Sequence, residues 1–157
     1  MAFKLSQRSF QKLVGVHPYM DSVVRKAIEL TKIDFGVIYG VRTVEEQKKL
    51  VAAGRSQTMK SKHLKQDDGY CHAVDLMAYV DGEPCWELNV YDDICDAMKE
   101  AAKAQNIAIK WGAAWSEGDI RNYPGTAEEA MNKYVDLRRS QGRRPFIDGP
   151  HFELIFD

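Results

Sequence analysis

Apolar and polar residues follow two different periods along the chain, and these periods predict where helices and strands lie. Apolar residues spaced three or four positions apart predict helices, whereas alternating or continuous apolar runs between turn residues predict strands. The predicted helices are 6–13, 18–32, 43–53, 90–105 and 126–140, and the predicted strands are 34–41, 71–80, 85–86, 107–111 and 151–156. Helices segregated from a few strands predict an α+β fold, with a small antiparallel sheet and helices packed on one side of it.

Two of these strands place polar residues opposite their apolar faces. The strand 151–156 has one strongly apolar face, and His151 lies on the other. In the strand 71–80, Asp75 lies on the face opposite its apolar neighbours. If the apolar faces pack on helices, Asp75 and His151 both point to the open side of one sheet. His63, on the loop that precedes the first of these strands, can close over them.

The residues on the open face are of the types that bind zinc. Two imidazoles and one carboxylate form a ligand set that suits Zn²⁺ and leaves a fourth position for water. A hydrolase of this kind also needs a base near the metal that is not bound to it. Asp148 lies three residues before His151, and the Gly149–Pro150 turn between them can fold its carboxylate back toward the metal. These residues are compatible with a zinc hydrolase, although periodicity alone does not single them out.

The composition limits the classes of protein to consider. With 157 residues, 45% of them hydrophobic and 29% charged, the chain is predicted to form a single domain over residues 1–157. Lys and Arg number 22 against 23 Asp and Glu, a net charge of −1, which argues against a nucleic-acid-binding protein that relies on a basic surface. The three cysteines form no CxxC pair, which favours reduced thiols over disulfides or a thiolate zinc site.

The apolar segments are short. None approaches the roughly 18 apolar residues of a membrane span, and the first residues, MAFKLSQRSFQKL, lack the apolar run of a secretory signal. We therefore predict synthesis in a cytoplasm and no stable insertion into a membrane.

Four motifs resemble those of the zinc peptidase family that includes D-Ala-D-Ala carboxypeptidases and dipeptidases. SKHL…HAVDL resembles its Ser-x-His…Gly-x-Ala-x-Asp motif, and DGPHFEL resembles its Asp/Glu-x-x-His motif. YGVRTVEEQ is similar to its Gly-x-Arg-Thr segment, and WGAAW to its Trp-Gly-Gly-Asp-Trp segment. The similarity is strongest to the phage endolysin branch, the L-alanyl-D-glutamate peptidases, and runs from about Phe3 to the C-terminus.

This resemblance implies a role for each matching residue. One Zn²⁺ ion would be held by three ligands: His63, Asp75 and His151. Asp148 would be the general base, and Arg42 would hold the substrate carbonyl or the developing oxyanion. Glu153 would orient a ligand imidazole. Structural alternatives exist for two of these, because Asp148 could be only a turn residue and Arg42 only a surface residue at a helix start.

The chain departs from the family pattern at several places. The loop 64–70 is longer than usual and is interpreted as an insertion, and the segment 116–147 is predicted to insert a helix beside the site. Cys71 stands where the motif has glycine; it could approach the metal, but a small buried apolar role is favoured. His72 is predicted to face away from Asp75. In WGAAW, alanines replace the usual Gly and Asp.

The prediction from sequence is therefore a phage endolysin that cleaves the L-Ala–D-Glu bond of peptidoglycan stem peptides. The chain would act as a monomer on the periplasmic wall, after a holin-type partner had made the membrane permeable. The alternatives are a D-Ala-D-Ala carboxypeptidase or dipeptidase of the same family, and an inactive metal-bearing module that binds the wall.

Overall fold

Five helices and five strands make up the computed structural model, which describes residues 2–56 and 58–156. The helices are α1 (Gln7–Leu13), α2 (Pro18–Leu30), α3 (Val44–Ala52), α4 (Leu88–Gln105) and α5 (Ala127–Ser140). The strands are β1 (Asp34–Tyr39), β2 (Ala73–Val80), β3 (Glu83–Cys85), β4 (Ile109–Trp111) and β5 (His151–Leu154). Two short 3₁₀ turns, Trp115–Glu117 and Ile120–Asn122, precede α5.

The strands form one antiparallel sheet in the order β1-β2-β5-β4, and β3 pairs with the far end of β2. Because β2 and β5 are neighbours, their register decides which side chains meet. Asp75 of β2 lies directly opposite His151 of β5. Residues that face each other across an antiparallel pair project from the same face of the sheet.

The two faces of the sheet differ in burial. On one face, side chains of β2 and β5 such as Leu76 and Phe152 are fully buried in a core that includes α2 and α4. On the other face, Asp75 and Glu153 remain partly exposed. The α+β fold, with a small antiparallel sheet, helices on one side and an open face for the site, is thereby confirmed.

The edge strand β1 is covered by α1. The Ser9 hydroxyl of this helix accepts a hydrogen bond from the Val37 backbone N–H at 3.0 Å. This contact satisfies a donor that an edge strand would otherwise present to solvent or to another chain.

The main differences from the predicted boundaries occur where β2 begins and where β5 ends. β2 begins at Ala73 rather than at 71, because Cys71 instead pairs with a segment far away in the sequence. Its carbonyl accepts from the His17 N–H at 2.9 Å, and its N–H donates to the Gly15 carbonyl at 3.0 Å. β5 ends at Leu154 rather than at 156.

The predicted helix within 116–147 is present as α5, and it packs on α4 rather than across the sheet. The Asp96 carboxylate of α4 accepts a hydrogen bond from the Ala127 N–H at 2.9 Å, at the start of α5. The buried Lys99 ammonium, one turn further along α4, donates to the carbonyls of Tyr123 and Gly125. α4 therefore supports the insertion from behind.

Among residues 2–56 and 58–156, no helix combines the length and the apolar character that crossing a membrane would require.

Replacing Lys99 by methionine is expected to destabilise the protein by about 2 kcal/mol, because two carbonyls lose a charged donor while the apolar stem is kept. Urea denaturation of the purified protein measures this change in the free energy of unfolding. The control is Lys103→Met, on the exposed side of the same helix, which should change stability by less than about 0.5 kcal/mol. Equal stability of the two variants would show that the Lys99 contacts do not stabilise the insertion.

Candidate active site

Three side chains from different parts of the chain meet on the open face of the sheet. Asp75 lies in β2, His151 is the first residue of β5, and His63 comes from the loop after α3. The Asp75 Oδ1 atom is 3.3 Å from the His63 Nε2 atom and 3.2 Å from the His151 Nδ1 atom. The ligand-type atoms of the three residues all lie within 4.8 Å of one another. The structure thus brings together the three residues that the sequence nominated as metal ligands.

Hydrogen bonds on the outer sides of the two imidazoles orient their inner nitrogens. His63 Nδ1 lies 2.9 Å from the Gly40 carbonyl oxygen, so this nitrogen carries the proton and Nε2 presents a lone pair to the site. That Nε2 atom is buried and has no hydrogen-bond partner among the described residues. His151 Nε2 lies 2.9 Å from a Glu153 carboxylate oxygen, which leaves Nδ1 facing Asp75.

This arrangement fits a small divalent metal ion. Tetrahedral zinc with ligand distances near 2.1 Å requires ligand atoms about 3.4 Å apart, close to the 3.2 and 3.3 Å separations measured around Asp75. The unpartnered His63 nitrogen is the kind of buried atom that a metal would satisfy. Carbonyl and carboxylate partners behind the imidazoles are also typical of metal-binding histidines.

In the absence of a metal, Asp75 and His151 shift each other's pKa. Burial alone would raise the pKa of Asp75, but the hydrogen bond from His151 and the proximity of His63 hold it well below its ordinary value. Burial alone would lower the pKa of His151, but hydrogen bonds to Asp75 and Glu153 raise it to about 9. Without a metal, the His151 imidazole is therefore protonated between the carboxylates of Asp75 and Glu153.

Asp148 is held beside the triad by a tight turn. Its backbone N–H donates to the Gly112 carbonyl at 2.8 Å, and its own carbonyl accepts from the His151 N–H at 3.1 Å. The Trp111 indole N–H donates to the Gly149 carbonyl at 2.8 Å. Burial, and secondarily the Asp75 charge, raise the pKa of the Asp148 carboxyl group above its ordinary value. A raised pKa suits a carboxylate that must accept a proton.

Arg42 also faces the site, and its orientation depends on a residue that the sequence analysis did not nominate. Its guanidinium Nη1 donates to the Gln47 side-chain oxygen at 2.8 Å, and its Nη2 lies 3.9 Å from Asp75 Oδ2. Gln47 is fully buried, and its amide nitrogen donates to the Ser56 hydroxyl at 2.8 Å and to the Thr58 carbonyl. Gln47 is the last residue of the YGVRTVEEQ segment, which was the one motif that included it.

The triad, Arg42 and Asp148 line a cleft of about 600 Å³. One wall is aromatic and contains Trp115 and Phe146, whose rings stack with centroids 6.3 Å apart. The Trp115 ring also lies 5.6 Å from the His151 ring. Arg55, Ser56, Thr58 and residues 60–62 form another, polar part of the lining. A peptide can therefore lie across the triad in contact with an aromatic wall and a polar one.

Other candidate residues lie apart from the triad. His72 Nε2 is 2.7 Å from the Asp68 carboxylate, a contact that ties the insertion 64–70 to the start of β2. His17 caps α2, where its Nδ1 atom accepts from the Tyr19 N–H at 3.0 Å. Cys71 is fully buried, and burial raises the pKa of its thiol to about 11. The thiol is thus part of the core rather than of the cleft.

Comparisons with known proteins agree with this fold. The family model of the phage L-alanyl-D-glutamate peptidases matches residues 1–155. The chain is 30% identical to the L-alanyl-D-glutamate peptidase of Escherichia phage T5, over 99% of this chain and 100% of that protein. The crystal structure of the Serratia marcescens L-Ala D-Glu endopeptidase ChiX is similar with a TM-score of 0.72 and 30% identity, and the match covers 99% of this chain and 92% of that one.

These matches define the class first: the protein is a peptidase, as its family and its cleft indicate. More particularly, the chain belongs to the phage L-alanyl-D-glutamate peptidase family.

Replacing Gly112 by alanine is expected to lower peptidase activity at least about tenfold, because misplacing a catalytic group by a fraction of an ångström weakens the reaction strongly. An added Cβ would lie 2.3 Å from the Asp148 carbonyl oxygen and 2.9 Å from the His151 Cβ atom, so the turn must move. Hydrolysis of purified peptidoglycan measures the change.

The control for this variant is Gly142→Ala. Gly142 has a φ of +69° and nothing within 4 Å of the position of an added Cβ. This substitution should cost about 1 kcal/mol of stability through backbone strain and leave the rate unchanged. Full activity of Gly112→Ala would mean that the turn tolerates displacement.

Zinc binding to the metal-free protein at pH 7 is expected to release about one proton. The pKa of His151 is raised to about 9, so its imidazole is protonated at pH 7 and must lose a proton before it can bind a metal. The affinity for zinc should consequently increase by about tenfold for each pH unit up to about pH 9 and then level off. Calorimetric titration in two buffers of different ionisation enthalpy counts the protons, and a count of zero would contradict the predicted protonation of His151.

Proposed function

We propose that this protein is a zinc-dependent endopeptidase that hydrolyses the L-Ala–D-Glu bond of peptidoglycan stem peptides, and that a phage uses it as an endolysin. The observation that carries the proposal is the cluster of His63, Asp75 and His151, whose separations and orientations fit zinc. The bond specificity is supported by family membership and by the names of the two relatives.

Each residue of the cleft has a defined task in this proposal. His63, Asp75 and His151 would hold a zinc ion, which would supply a Lewis acid for the scissile carbonyl and would lower the pKa of a water. Asp148 accepts the proton of the attacking water and returns it to the leaving amine, and its raised pKa supports both steps. Arg42, held by Gln47, donates hydrogen bonds to the oxyanion that develops on the carbonyl oxygen. Glu153 keeps the His151 imidazole in the orientation that binds the metal.

The same proposal extends to the setting of the reaction. The chain would act as a monomer. Access to the wall would depend on a holin-type partner that permeabilises the host membrane, because the enzyme would be made in the cytoplasm and its substrate lies in the periplasm.

The test uses defined muropeptides together with Asp148→Asn, which keeps the shape of the side chain but removes the base. Wild-type protein should bind one zinc ion and release fragments with a new N-terminal D-Glu. The variant should bind the same amount of zinc and lose at least about 100-fold in kcat. The control is Asp136→Asn on the exposed side of α5, which should retain wild-type rates.

The possible products separate the proposal from its alternatives. Release of free D-alanine would replace the proposed bond specificity by that of a carboxypeptidase. Zinc binding without any cleavage would identify an inactive wall-binding module. Full activity of Asp148→Asn would remove Asp148 from the mechanism.

A further inference from the structure

A second wall of the cleft, separate from the aromatic residues, is basic. Within the segment 55–62, three cationic side chains line the cleft: Arg55, Lys60 and Lys62. The ion pairs found over residues 2–56 and 58–156 include none of the three. Three cations that face a cleft without an acidic partner are available to a ligand.

The backbone that carries these cations is anchored at both ends. Near the first end, the buried Gln47 amide donates to the Ser56 hydroxyl and to the Thr58 carbonyl. At the other end, the Lys62 carbonyl accepts from the His72 N–H at 2.8 Å. Such anchoring reduces the entropy that the wall loses when a ligand binds.

The floor of the cleft has the opposite charge. It contains three carboxylates, which belong to Asp75, Asp148 and Glu153. Lys62 is close enough to Glu153 for its charge to help lower the pKa of that carboxyl group, although burial opposes this and the His151 hydrogen bond contributes more. An anionic group of a substrate is therefore attracted to the basic wall rather than to these carboxylates.

The substrate of the proposed function carries such a group beside the scissile bond. Glutamate has two carboxyl groups, and the peptide continues through only one of them, so the other stays free on the residue whose amine leaves. We propose that Arg55, Lys60 and Lys62 form a subsite that binds this free carboxylate of D-Glu. This inference rests on the proposed function and assigns a substrate group to one wall of its cleft.

The subsite predicts selectivity between an acid and an amide at the D-Glu residue. Hydrogen bonds that involve a charged group are stronger than neutral ones, but partial exposure of the lysines screens them. We therefore expect a preference of about tenfold in kcat/KM for the free acid over its amide. Added salt should reduce this preference, because screening weakens the contact with the α-carboxylate of D-Glu, which only the acid carries.

The experiment uses two peptides, N-acetyl-L-Ala-D-Glu-L-Lys linked through the glutamate γ-carboxyl group and the same peptide with the α-carboxyl group amidated. Rates are measured for zinc-loaded wild type, for the double variant Lys60→Gln/Lys62→Gln, and for the control Lys65→Gln. Lys65 belongs to the insertion 64–70 and does not line the cleft. Wild type and the control should show the full preference, whereas the double variant should lower it to about twofold.

The rate on the amidated peptide serves as the internal control for folding, because the proposed subsite has no charge to bind there. A general loss of folding or activity in the double variant would lower both rates, so only the ratio of the acid rate to the amide rate reports on the subsite. Equal cleavage of the acid and the amide by wild type, or a preference that survives in the double variant, would overturn the subsite and leave the proposed function intact. Cleavage of neither peptide by the zinc-loaded wild type would overturn the proposed function and the subsite with it.

Discussion

The candidate site depends on the contact between the Asp75 carboxylate, which is mostly buried, and two imidazoles. A carboxylate in this position is costly unless positive charge or hydrogen-bond donors surround it. The His151 imidazole lies 3.2 Å from it, and His63, 3.3 Å away, presents a lone pair that a metal ion bound to Asp75 would share. The antiparallel strand pair in which Asp75 lies opposite His151, β2 with β5, is also the central pair of the sheet. The interaction that makes a metal site available is therefore built into the pairing that holds β2 and β5 together.

Each partner of Asp75 is fixed by a local contact of its own. The Gly40 carbonyl at the end of β1 turns the His63 ring, and Glu153 turns the His151 ring. The rigid sheet thus orients both rings before any ligand arrives, which is the condition for tight metal binding and for a precise attack geometry. Trp111 of β4 fixes the turn beside Asp148 in a similar way, because its indole N–H donates a hydrogen bond to the Gly149 carbonyl.

The sequence predicted the parts of this arrangement that depend on local periodicity. Alternation along β2 and β5 placed Asp75 and His151 on one face, since side chains in a strand alternate strictly. His63, on an irregular loop, could be assigned only through the motif resemblance, and its metal role remains a prediction. Gln47 and Lys99 were not nominated, because their local pattern is that of ordinary helix residues and their partners lie far away in sequence. The start of β2 was misplaced for the same reason, since Cys71 pairs with a distant segment.

The departures from the family pattern fall where they leave the triad undisturbed. The insertion 64–70 is anchored by Asp68 to His72, and the segment 116–147 is anchored to α4, so neither pushes on β2 or β5. Ala114 is fully buried where an aspartate is usual in the family, so an acidic side chain at this position would need a partner that the core would have to supply. Phe146, which belongs to the segment 116–147, lines the cleft, whereas the triad lies on β2, on β5 and on the loop before β2. An enzyme organised in this way can change the residues it recognises around a scissile bond while the geometry that breaks the bond stays the same.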